Sequence, residues 1–208
     1  MSGSAAEENL YHIKVTSINL KKDPAGSAQD VSIRGTFTSL DSAKKASLST
    51  LQNMGYEMDF FPTYDVRSKY SGDWPHGDGV QVYAAVPESD ILKVEIQTTP
   101  NKLGFTGDEN GEIAEELWFV LQTTIYYNLD ASGAKRDSLI EGTYGTAEQA
   151  NQTALTVLLD PDVSKKDFAE YDEFTGQTDW PYGETVVVHA VGQTGENFLV
   201  GVVQTERK

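Results

Sequence analysis

Cysteine is absent from the 208 residues, so disulfides, thiolate metal sites and cysteine nucleophiles are excluded outright. Histidine occurs only three times, and acids outnumber bases 32 to 16 for a net charge of −16. A chain with that field repels nucleic acid and anionic lipid, so neither is expected as a partner. No apolar run approaches the roughly 20 residues that span a bilayer. The opening MSGSAAEENLYHIKV has neither a basic start nor an apolar stretch of signal-peptide length, which predicts a soluble, cytoplasmic protein. Also missing are the Walker loop, G-x-S-x-G, G-x-G-x-x-G and H-E-x-x-H. The nearest calcium-loop patterns start at Asp108 and Asp160, but Ile113 and Lys165 stand where the sharp turn requires glycine. No metal and no cofactor is expected.

What the chain does have is a hydrophobic share of 38%, more than a disordered acidic chain carries, and an internal repeat. DWPHGDGVQVYAA (73–85) and DWPYGETVVVHAV (179–191) agree at seven of thirteen positions. The match extends in both directions. At an offset of 107, Tyr11 falls on Trp118, Asp23 on Asp130, Gly26 on Gly133, and Gly35-Thr36-Phe37 on Gly142-Thr143-Tyr144. One deletion after Tyr64 changes the offset to 106, and Leu92, Val94 and Ile96 then meet Phe198, Val200 and Val202. The reading is a tandem duplication: a flexible N-terminus (1–10), a first copy (11–99), a linker (100–117) and a second copy (118–205).

Each copy reads as ββαββ. Residues 11–20 and 118–127 are rich in Ile, Val, Tyr and Thr, and the turn-forming DPAGSAQD and DASGAKRD lead into second strands at 31–37 and 138–144. Helices are expected at about 40–54 and 147–159, the second opened by Thr146 with Gln149 three residues on. An irregular stretch of about twenty residues follows, and alternating runs then predict two closing strands. The class is α+β, with antiparallel sheets each carrying one helix. Two small copies with apolar faces are expected to pack as one compact pseudo-two-fold body, the second sheet covered on both sides.

The chemistry-bearing residues gather in the long loops. Tyr64, Asp65, Trp74, His76 and Tyr83 in the first copy correspond to Tyr171, Asp172, Trp180, Tyr182 and His189 in the second. Aromatic rings beside carboxylates can stack a flat ligand and hydrogen-bond it. The structural alternative is that Trp74 and Trp180 plug the open ends of the cores. Alignment weakens each histidine as a catalyst, because His12 pairs with Phe119, His76 with Tyr182 and His189 with Tyr83. No position is histidine in both copies.

The pattern G-T-F/Y, helix, Tyr-Asp, D-W-P-x-G, V-x-V-x-A-V resembles small hypothetical proteins of filamentous fungi that carry one or two such α+β domains without assigned activity. The resemblance implies an intracellular setting and transfers no functional residue. The function expected is non-enzymatic binding of a protein or small-molecule partner, through the aromatic and acidic loops or a groove between copies, by a monomer or homodimer. The alternative is a small-molecule binder or enzyme with one pocket at the pseudo-symmetric junction.

Overall fold

The computed structural model describes residues 8–206. Residues 1–7 of the expected flexible N-terminus lie outside the described residues, while Asn9 and Leu10 already belong to the first strand. The described residues form two units, one of residues 8–115 together with Thr205 and Glu206, the other spanning Glu116–Gln204.

In the first unit, β1 (Asn9–Asn19) and β2 (Gln29–Phe37) form a hairpin, followed by α1 (Leu40–Ser47), α2 (Thr50–Asn53), β3 (Thr63–Val66), β4 (Val80–Val86) and β5 (Asp90–Pro100). The second repeats the series as β6 (Trp118–Ile125), β7 (Arg136–Tyr144), α3 (Ala147–Ala154), β8 (Glu170–Glu173), β9 (Val186–Val191) and β10 (Asn197–Gln204). The sheets have equivalent orders, β2-β1-β5-β4-β3 and β7-β6-β10-β9-β8, with every neighbouring pair antiparallel. This is an α+β fold with two similar halves. The long loop is less irregular than its composition suggests, because each contains a four-residue edge strand, TYDV or EYDE.

The likeness reaches individual hydrogen-bond registers. The first hairpin is bulged between Ile13 and Lys14, the second between the matching Val120 and Leu121. The β4/β5 ladder shifts between Val80 and Val82, and the β9/β10 ladder where Val200 and Gly201 face Val188 and Val186. Gly35 and Gly142 flank the hairpin bulges. A Cβ on Gly35 would stand 3.0 Å from the Phe37 ring, and one on Gly142 would stand 2.6 Å from the Tyr144 hydroxyl. The glycines therefore admit an aromatic ring two residues on.

Local chemistry sets the connections. Asp23 accepts from the backbone N–H groups of Ala25 and Ser27, and Asp130 from those of Ser132 and Lys135, closing both hairpin loops. Ser39 and Thr146 cap α1 and α3 by accepting from the N–H of Ser42 and Gln149. The expected first helix is divided into α1 and α2. Its end is a Schellman turn: Gly55 has φ +91°, Tyr56 N–H donates to Leu51 C=O, and Gly55 N–H donates to Gln52 C=O.

Each helix packs on one sheet face. In the first unit Ile13, Val15, Phe37, Ala43, Leu51, Phe61, Val82, Ala84, Leu92 and Val94 form the buried core; in the second Val120, Ala150, Ala154, Val188, Val200 and Val202 do. On the other face the halves diverge. Buried His12 and the Lys14–Glu95 ion pair (2.7 Å) occupy positions that become Phe119 and the Leu121–Gly201 pair. Phe119 and Val120 are both fully buried, so β6 is covered on both faces.

The segment expected as a linker is tied down. Ile113 and Leu117 are buried, Thr38 N–H donates to Gly111 C=O, and Ile113 N–H donates to Thr36 C=O. Thr205 forms a parallel bridge with Ile33, and Glu206 pairs with Arg34 at 2.8 Å, covering the outer edge of β2. Among the described residues no helix is long and apolar enough to cross a membrane.

Candidate functional site

Strand alternation sorts the sequence candidates. Because β3 is a strand, Tyr64 and Asp65 point to opposite faces. Tyr64 turns to the helix side, where it packs on the core and its hydroxyl is hydrogen-bonded to the Gln52 amide at 3.2 Å. Tyr171 does the same in the second unit and donates to the Leu155 carbonyl. These two tyrosines are thereby separated from the other candidates.

Asp65, Trp74, His76 and Tyr83 come together on the opposite face. Asp65 lies directly across from Tyr83 in the β3/β4 ladder, and the Trp-Pro loop lays His76 over them. The His76 ring stacks on Tyr83 with centroids 3.9 Å apart and planes 6° from parallel, and its Nε2 lies 2.7 Å from an Asp65 carboxylate oxygen. Trp74 meets His76 edge-on at 4.7 Å, and the exposed Tyr70 meets Trp74 at 5.3 Å.

The second unit builds the same figure with two residues exchanged. Tyr182 stacks on His189 at 3.8 Å and 12°, and its hydroxyl donates to Asp172 at 3.1 Å. Asp172 lies across from His189, whose Nδ1 is 3.3 Å from the same carboxylate. Trp180 meets Tyr182 edge-on at 4.8 Å, and the exposed Phe174 lies beyond it. Each figure thus comprises a carboxylate, a stacked imidazole–phenol pair and a tryptophan. The imidazole is on the loop in one unit and on the strand in the other.

Electrostatics follow from this placement. Burial raises the Tyr83 phenol above its ordinary value, and the Asp65 charge adds to the shift. The Tyr182 phenol is raised by burial and by its bond to Asp172. Both tryptophans are half-buried, with indole N–H groups that have no acceptor among the described residues.

Two features escaped the sequence reading. Glu170 joins Asp172 and His189, one ligand atom from each lying within 4.8 Å of the others. Its signal was the alternation of acids in EYDE, which shows only once that stretch is a strand. The first unit also holds a cavity of about 480 Å³ lined by Ile13, Phe37, Ala46 and Met54, with the Arg34–Glu206 ion pair in its wall. Compared with models of known protein families, with curated proteins and with solved structures, the chain matches none.

Proposed function

We propose that the protein is a binding protein whose recognition surfaces are the two Trp-Pro loops, each presenting aromatic rings around a carboxylate to a cationic group on a partner. The observation that carries this reading is the exchange of His76/Tyr83 for Tyr182/His189 around the same aspartate. A catalytic imidazole needs one fixed position. A recognition surface needs ring faces and charge, and those survive the exchange. Partly exposed carboxylates, each bonded to a stacked imidazole–phenol pair that a tryptophan meets edge-on, suit a lysine or arginine side chain by combining ion pairing with cation–π attraction. The net charge of −16 steers basic partners toward the chain.

The test is calorimetric titration with lysine- and arginine-rich peptides at low salt. Binding is expected to weaken about tenfold in Trp74→Ala/Trp180→Ala, since a desolvated cation–π contact is worth on the order of 1–2 kcal/mol, and to survive His76→Tyr, which writes the second unit's residue into the first. Equal affinity in the tryptophan variant would refute the reading. A second reading, an amphipathic small ligand in the first unit's cavity, is favoured by its volume of about 480 Å³, which lies in the usual range for ligand sites. A thermal-shift response to such ligands that is lost in Met54→Trp would select it.

A further inference from the structure

The second unit carries a donor set that the first lacks. Glu170 and Asp172 stand two residues apart on the edge strand β8, so the pleat puts both carboxylates on one face. Asp172 pairs across the ladder with His189, which brings the imidazole to the same face. That imidazole is held in place, its side chain only 4% exposed and its ring stacked on Tyr182. The Tyr182 hydroxyl donates to Asp172 and orients it, as outer-shell groups do for metal ligands. The matching positions in the first unit are Thr63, Asp65 and Tyr83, so one donor of the three remains.

We propose that Glu170, Asp172 and His189 bind one divalent transition-metal cation. Among the described residues neither carboxylate pairs with a lysine or arginine, so two like charges face each other without a neutralising partner. Atoms ligating one ion at about 2.1 Å lie roughly 3–3.6 Å apart. The 3.3 Å between His189 Nδ1 and Asp172 already falls in that range, and exposed Glu170 closes the remaining gap by turning its side chain. One imidazole with two carboxylates selects zinc, manganese or nickel over calcium and magnesium, which favour oxygen alone. Three protein donors leave the outer positions to water. The site shares Asp172 and His189 with the second unit's recognition surface, so a bound cation would occupy the carboxylate which that reading offers to a partner; metal titration without any peptide tests it separately.

The experiment is calorimetric titration of the full-length protein with Zn²⁺ and Mn²⁺, beside Ca²⁺ and Mg²⁺. One Zn²⁺ or Mn²⁺ per chain is expected, with affinity reduced at least about tenfold in Glu170→Thr, an exposed substitution that writes in the residue found at position 63. Asp172→Asn should do the same. Bound Mn²⁺ should broaden the ring signals of His189 and leave those of His76 sharp. The proposal is overturned by the lack of saturable binding up to millimolar metal, by affinity unchanged in both variants, or by broadening at His76 instead.

Discussion

His12 shows how one residue can set the chain's response to acid. It is fully buried, with Nδ1 2.9 Å from the Thr36 hydroxyl and Nε2 2.7 Å from that of Thr99, and burial pushes its pKa down to about 3 from 6.5. Between those values the unfolded chain binds a proton that the folded chain refuses. Stability therefore falls as pH is lowered through this window, by up to about 1.4 kcal/mol per pH unit. Urea unfolding at pH 7 and pH 5 should show a loss of about 2 kcal/mol attributable to His12. His12→Phe, which writes in the residue at position 119, should lose that share of the slope, although its stability at pH 7 also drops because two buried hydroxyls lose their partner. An unchanged slope would mean that the imidazole is protonated in the folded state.

At the level of elements, the bulged hairpins are the sharpest test of the repeat. Gly35 admits the ring of Phe37, which is buried in the core, whereas Gly142 admits Tyr144, which is only half-buried and can swing outward. Gly35→Ala should thus destabilise by about 1–3 kcal/mol and Gly142→Ala by less, because overpacking is severe only where the neighbour cannot give way. Equal losses by chemical denaturation would contradict this. The hairpins, helices and closing strands were legible because their signals are long: alternation over seven residues, turn clusters and caps, each read twice. The edge strands β3 and β8 were not, since four residues between turn formers carry too little period to register, and their pairing depends on distant β4 and β9. The site depends on those strands: as a strand, TYDV sends Tyr64 and Asp65 to opposite faces, and EYDE sets Glu170 on the face of Asp172.

Across the whole molecule, charge decides what salt does. With 32 acids and 16 bases, at least half of the carboxylates have no cation to pair with, and the imbalance is steeper in residues 111–208 (17 acids, 6 bases) than in 1–110 (15 and 10). Exposed pairs such as Lys165–Glu173 offset little of this, since such contacts are worth about 0–1 kcal/mol and are themselves screened. Lys14–Glu95 is shielded from solvent ions by burial of the lysine. Self-repulsion therefore outweighs the local attractions that salt would remove. As the Debye length shrinks from about 30 Å at 0.01 M toward roughly 6 Å at 0.3 M, the melting temperature should rise by a few degrees. Over the same range, affinity for basic peptides should fall, because the field that strains the fold is the one that steers the partner. The opposite signs separate the effects: a melting temperature that falls together with affinity would mean that specific ion pairs, and not net charge, govern the fold.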